Sequence, residues 1–445
     1  MSVRVFLLGG FFFLFSSQIF CFPIRMTDCI QLALSNNPDI RMAESRFDQA
    51  RFVSSRQDSA LYPQVGFDAD HISNHLAGSN RLSYQNTVVP NDNFFAKPSE
   101  ANRMKLSVQQ VLFSPGYDGR KHAAETDIEI RRAELDKARV QVVAQVIVQF
   151  YDYVRYSVLA GVEQQRIGVL SEQLIEQQNK LAYKLDTSED LLKTRYEIGK
   201  AESTVQAYRS KTALAKNTVA LLLDVEDDSL QLSNFVQDPD PAEWDAGRIK
   251  TLLHSSQDGH PDLAVAAKTL ERQSAAVDAL SAGWLPTCTA SGYYGYTAAN
   301  GFIIKPENQD YSVSVQMNLP LFDGFGRSNQ IAENKAKQEE ATWALKSAQN
   351  QVKLGITQAQ GDLIDKRRVY EETKSLLIFT QEQVDSTREK HVRQYATKLE
   401  FLQTKLRFLD AMAAQDSAKY DLLISLAKLK LSLGQIPNFK VGGSE

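Results

Sequence analysis

The chain has 445 residues, 43% of them hydrophobic and 23% charged, with Lys+Arg 50, Asp+Glu 54 and a formal net charge of -4. These proportions exclude a disordered chain, a collagen and a disulfide-stapled mini-protein. The mild acidity gives no electrostatic reason to expect nucleic acid as a partner, and a mean hydropathy of -0.33 with one long apolar run excludes a bundle of membrane-spanning helices.

The apolar run is Val5 to Phe15, preceded by Arg4 and followed by Ser16, Ser17 and, further on, Cys21. A charged start and a core too brief for a ~20-residue span predict a secretory signal peptide over residues 1–21. A lipid-anchored start at Cys21 is the rival reading, weakened by the bulk of Phe20 where a small residue is wanted. The cysteines beyond the leader, Cys29 and Cys288, are far apart and lack a CxxC or His-x-His neighbourhood, so neither a redox pair nor a zinc site is signalled.

Proline placement organises the remainder. Asn37-Pro38-Asp39 opens a helical stretch that ends at Pro63, and His260-Pro261-Asp262 opens another that ends at Pro286; both Pro–Pro spacings are 25 residues. No proline occurs between Pro115 and Pro239 or between Pro320 and Pro437, and both intervals read as helix. At ~1.5 Å per residue, a helix from Arg120 to Ala182 would run roughly 90 Å. Leu112-Phe113-Ser114-Pro115-Gly116 in the first half answers Leu321-Phe322-Asp323-Gly324-Phe325-Gly326 in the second. The chain therefore reads as a tandem duplication of helix, strand, loop, strand, long helix and second helix. The first repeat takes residues 22–238, with strands about 64–73 and 104–113 and long helices about 118–222. The second takes 239–436, with strands about 287–296 and 311–321 and long helices about 327–433, and 437–445 form a tail.

The four strands alternate apolar with polar. In the clearest, Tyr311, Val313, Val315, Met317 and Leu319 interleave with Ser312, Ser314, Gln316 and Asn318; Val65, Phe67 and Ala69 do so with Gln64, Gly66, Asp68 and Asp70. Ala290, Gly292, Tyr294 and Tyr296 make one face of a third stretch, and Leu106 and Val108 sit between Lys105, Ser107 and Gln109. Short strands apolar on one side, tyrosine near their ends and long polar connections are the signature of an outer-membrane barrel, with a pair of soluble hairpins packed on helices as the alternative. Four strands cannot close, and lipid tolerates only a closed sheet of about eight strands or more, so spanning strands imply a shared barrel. The helices carry seams of coiled-coil type: Leu399, Leu402, Leu406, Leu409 and Ala413 in one, Val143, Ile147, Phe150 and Val154 in another.

The order and spacing of these landmarks resemble the TolC family of outer-membrane efflux and secretion channels from Thr27 to about Ile436. The carriers are the two Pro-Asp helix starts, the Pro63 and Pro286 approaches to strands, the Leu321-Phe322-Asp323-Gly324 turn, and the helix from Leu399-Glu400-Phe401-Leu402-Gln403-Thr404 to Ser432-Leu433-Gly434. The resemblance implies a mainly α fold with a four-strand contribution to a shared transmembrane barrel, built as a homotrimer with twelve strands in the outer membrane and long helical hairpins reaching across the periplasm. It also implies a periplasmic adaptor and an inner-membrane transporter as partners, with small molecules or polypeptides as cargo. Glu400 falls where the family places a constricting acid and Gln403, one turn on, at the second such position; a ring of three Glu400 carboxylates would favour cations. The hairpin tips are expected at Gln394 and Thr397 in the second half and at Gly199, Thr204 and Val205 in the first. Three departures are Gln403, uncharged at the second constricting position, Gln394 where glycine is usual, and Val205 where an acid is expected. The plain alternative for Glu400 is a solvated carboxylate on a helix face.

His71 and His75 share strand parity beside Asp68 and Asp70, and read more simply as polar lining than as a metal cluster. No phosphate loop, nucleophile elbow or HExxH motif occurs, so neither an enzyme nor a cofactor is expected. Two other classes compete with the channel: an exported periplasmic coiled-coil scaffold or adaptor, and an adhesin-like structural protein. Neither accounts for four amphipathic strands at equivalent places in two helical repeats.

Overall fold

The computed structural model describes residues 23–74, 99–182, 188–226, 230–234, 260–298 and 306–434. The leader, Cys21, His75 and the tail after Gly434 lie outside the described residues. In chain order the elements are α1 (Met26–Asn36), α2 (Pro38–Ser59), β1 (Gln64–Asn74), β2 (Ser99–Phe113), α3 (Tyr117–Ala182), α4 (Ser188–Leu223), α5 (Pro261–Ser281), β3 (Thr287–Ala298), β4 (Gln309–Asn318), α6 (Gly326–Val392) and α7 (Lys398–Ser432). They fall into two compact units that do not follow the two sequence repeats, because each unit takes elements from both halves of the chain.

One unit (residues 45–133 and 264–348) holds the sheet. Its strands pair in the order β1-β2-β3-β4, every neighbour antiparallel. β4 stops at Asn318 because Pro320 has no N–H to donate to a ladder. Both long helices leave the sheet through left-handed glycines, Gly116 (φ 73) before α3 and Gly324 (φ 67) before α6. Gly116 cannot be replaced cheaply: a Cβ there would sit 2.2 Å from the Ala279 carbonyl oxygen of α5. Tyr117 donates to Asp58 at 2.8 Å and Lys121 meets the same carboxylate at 2.8 Å. These bonds hold the Asp58 carboxyl below its ordinary range, the Lys121 bond coming first.

The other unit (residues 1–44, 134–263 and 349–445 where described) is a helical core. Val143, Ile147, Phe150 and Val154 of α3 are fully buried, packed with Val219, Ala220 and Leu223 of α4, Ile30 and Ala33 of α1, and Tyr420, Ile424 and Ala427 of α7. The expected seam on α3 is thus a core stripe, and its 4, 3, 4 spacing is what keeps it on one side of the helix. Burial pushes the Cys29 thiol up to about 12, so it acts as a small apolar side chain.

The Pro-Asp signatures that open α2 and α5 occupy matching joints. Pro38 and Pro261 are the first residues of their helices, where a missing N–H costs nothing. Asn37 caps α2, its Oδ1 accepting from the Asp39 amide at 2.9 Å, and its Nδ2 donates to the Leu222 carbonyl at the end of α4, also at 2.9 Å. His260 does the same for α5: Nδ1 accepts from the Asp262 amide at 3.2 Å, and the ring hydrogen-bonds to the backbone of Ser432 at the end of α7. Each long helix stops in the left-handed region beside its joint, at Asp224 (φ 54) and Gly434 (φ 72).

Burial, ahead of a smaller opposing pull from Asp262, lowers the His260 pKa below 6.5. Between that lowered value and about 6.5 the unfolded chain binds a proton that the folded chain refuses, so stability is full above the window and lost as pH falls through it. Thermal unfolding across pH 4–8 is expected to show this loss, and His260→Asn, which keeps a cap like Asn37, to flatten it.

Candidate channel wall and constriction

The register sorts the sheet into two chemically distinct faces, because directly paired residues share a side. One row runs Phe67, Leu106, Tyr294, Tyr311 and another Val65, Val108, Gly292, Val313. Met317, Val315 and Ala290 continue this face toward the helices. Its large side chains are not covered: from Val108 at 41% to Val313 at 86%, they are exposed. A face this apolar and this open is not a surface for water. The ten residues of β4 cover about 33 Å of strand at ~3.3 Å per residue, or about 25 Å of height at the ~40° tilt of barrel strands, the thickness of an outer-membrane apolar band. At the helix-side ends of the strands Tyr62, Phe113, Trp284, Phe322 and Phe325 are all exposed. Arg327 lies over the Trp284 ring at 5.0 Å, an arrangement suited to an aromatic girdle.

The opposite face carries Asp68 and Asp70 from β1, Arg103, Lys105, Ser107 and Gln109 from β2, and Asp310, Ser312, Ser314 and Gln316 from β4. His71 departs from expectation. It shares the side of Val65 and Phe67, where its Nδ1 meets Asn102 Oδ1 at 2.6 Å, so it points away from Asp68 and Asp70. Strand parity separates neighbours in sequence, and no group of His, Cys, Asp and Glu able to hold a metal is found among the described residues.

The α6–α7 turn contains Gln394 and Thr397. Gln394 (φ 64) is the left-handed residue of a Schellman-type stop: its amide donates to the His391 carbonyl at 3.0 Å, and the Tyr395 amide to that of Lys390 at 2.7 Å. Glutamine thus occupies a conformation that favours glycine, at a cost of roughly 1–2 kcal/mol. The His391 ring stacks on Phe401 across the turn, with 6.0 Å between centroids. Thr397 caps α7, its hydroxyl accepting from the Glu400 amide at 3.2 Å. Glu400 and Gln403, three residues apart on one face, are both exposed, while Leu402 between them is fully buried against Val162 and Val169 of α3. Glu400 also suits the helix itself, as an acid in the first turn.

The first-half tip is not at Gly199. α4 runs unbroken from Ser188 to Leu223, placing Gly199, Thr204 and Val205 inside it. Thr204 donates back to the Lys200 carbonyl at 2.9 Å, as mid-helix threonines do, and Val205 is buried. One glycine costs a helix only about 1 kcal/mol, which its strong neighbours outweigh. The α3–α4 connection, 183–187, lies outside the described residues.

Sequence reading missed the ion pairs between α3 and α7. Arg155 meets Asp421 at 2.8 Å, Arg166 meets Asp410, and Glu176 meets Lys398 at 3.8 Å. Steps of about 11 residues, three helical turns, up α3 match equal steps down α7, as antiparallel helices require. Lys366 of α6 reaches Asp421 as well, at 3.1 Å. The opposite charges are visible in sequence, but only the helix register pairs them.

The profile of the outer membrane efflux protein family matches residues 29–224 and 252–435. The chain belongs to that family. It is an outer-membrane channel for efflux or secretion, and its family is one of channel proteins. Protein CyaE of Bordetella pertussis is 21% identical over 365 residues, covering 78% of this chain and 71% of its own length. Two solved structures share the fold: the outer membrane protein VceC of Vibrio cholerae (TM-score 0.74, 17% identity, 92% of this chain and 96% of that one) and the CmeC outer membrane channel of Campylobacter jejuni (TM-score 0.77, 16%, 92% and 85%).

Thr397→Ala is expected to cost about 0.5–2 kcal/mol through the lost cap. The measurement is amide hydrogen exchange, in which Glu400 and Phe401 should exchange faster while the amides of Leu422 and Leu426 stay unchanged.

Proposed function

We propose that three copies of this chain close one twelve-stranded barrel, the β1 edge of each pairing with the β4 edge of the next, to form a passive duct. The observation that carries this reading is an open sheet with an uncovered apolar face. Its two edges need partners in lipid, and one chain does not supply them. Two copies would give eight strands, whose inward side chains fill the interior, whereas twelve leave room for a polar lumen lined by the Asp68 to Gln316 face. The family and its resemblance to TolC channels support three copies.

The duct has no energy source of its own, and it carries out no catalysis. A periplasmic adaptor and an inner-membrane transporter engage the end formed by the α6–α7 turn and drive cargo into it. Glu400 and Gln403 face the axis there, and three Glu400 carboxylates form the constriction. The placement of Glu400 on an exposed face beside the turn supports this, as does its first-turn position, where the Thr397 cap fixes its direction. The two halves of the chain are one repeated unit, which the paired Asn37 and His260 joints support.

In planar bilayers the purified chain should conduct in discrete steps, and Glu400→Ala should raise the unitary conductance or weaken block by trivalent cations. Unchanged conductance and block would remove Glu400 from the constriction, and recovery of the chain as a soluble monomer would end the channel reading.

A further inference from the structure

On the polar face of the sheet one row of the register crosses all four strands: Asp68 of β1, Lys105 of β2, Gly295 of β3 and Asp310 of β4. The third position has no side chain, and this decides what the others do. A Cβ at Gly295 would sit 2.2 Å from the Met104 carbonyl oxygen and 2.9 Å from Lys105 Cγ. With that space clear, Lys105 lies across β3 and brings Nζ to 3.5 Å from Asp310 Oδ2. On the way the ammonium covers the Tyr293 ring at 3.9 Å from its centroid, and the Tyr293 hydroxyl donates to both Asp310 oxygens at 3.2 Å. Lys105 is therefore held from two sides, by a carboxylate and by an aromatic face. At the start of the row Asp68 accepts from Ser107 at 3.3 Å. The next row pairs Asp70 with Arg103. Three carboxylates stand against two cations in these rows, and the Lys105 cation is occupied.

We propose that this row sets the ion selectivity of the barrel lumen, making it a cation-preferring filter separate from the constriction at Glu400. The inference rests on the reading of the polar face as lumen. Asp310 and Tyr293 sequester Lys105 so that it cannot hold a passing anion, leaving each chain with one net negative charge at this level, repeated in every copy around the axis. Gly295 keeps this row possible, because a side chain there would meet the Met104 carbonyl oxygen first and Lys105 Cγ next, straining the β2–β3 ladder as well as crowding Lys105.

The test is the potassium-to-chloride permeability ratio, read from the reversal potential of the reconstituted full chain under a KCl gradient. Lys105→Gln should raise the ratio and Asp310→Asn lower it, each by about two-fold or more, since substitutions on a barrel's lumen face tune selectivity. The double variant, which restores the net charge, should return to the wild-type ratio. Asp68→Asn leaves the Lys105–Asp310 pair intact and should also lower the ratio, so the inference stays testable if Asp310→Asn does not assemble. Ratios that do not change, or that move in the same direction in Lys105→Gln and Asp310→Asn, overturn the filter while leaving the channel in place. A wild-type chain that conducts no ions overturns the channel reading instead.

Discussion

A β-strand at the margin of a sheet presents a row of amides and carbonyls that need partners, and in hydrocarbon there is no water to serve. Each unpaired group there costs several kcal/mol. β1 and β4 are such margins, and the face they share with β2 and β3 is apolar and uncovered. The rest of the architecture is consistent with meeting that demand. A four-stranded sheet would be one part of the proposed larger ring, and its apolar height fits a thin bilayer. In the proposed ring the outward edges of β1 and β4 find their neighbours in other copies.

The helices are anchored differently. Their hold comes from buried seams on α3, α4 and α7 and from the two joints in which Asn37 and His260 cap one helix while binding the end of another. The ion pairs between α3 and α7 are half-exposed for the most part, and pairs of that kind contribute about 0–1 kcal/mol each. Near the α6–α7 turn the buried α3–α7 contact is made by Val162, Val169, Leu402 and Leu409, with half-buried Leu406, Met412 and Ala413 packed against them. A small apolar contact with weak polar rungs holds this end of α7 more lightly than the main core, and Glu400 sits beside it.

Much of this was legible in the sequence because each signal had a local cause. Proline at the first position of a helix, a left-handed glycine at a helix start, alternation along Tyr311 to Leu319 and the 4, 3, 4 run from Val143 to Val154 all act within a few residues. Position along a helix proved harder. The resemblance places a hairpin tip at Gly199, yet the Ser188-Glu189-Asp190 start eleven residues earlier is the stronger local signal. His71 was grouped with Asp68 and Asp70 through proximity in sequence, which parity overrides. The Lys105–Asp310 row and the Arg155–Asp421 pair were illegible for another reason: both depend on register between elements remote in the chain. Gly295 gained its meaning only when the sheet placed Lys105 beside it.

The most direct test of the central claim is amide hydrogen exchange on the assembly extracted from outer membranes, read at the outward-facing amides of β1 and β4. Closure between copies predicts that these exchange as slowly as the amides of β2 and β3. Fast exchange confined to β1 and β4 would mean that the edges stay open, and would contradict the shared barrel.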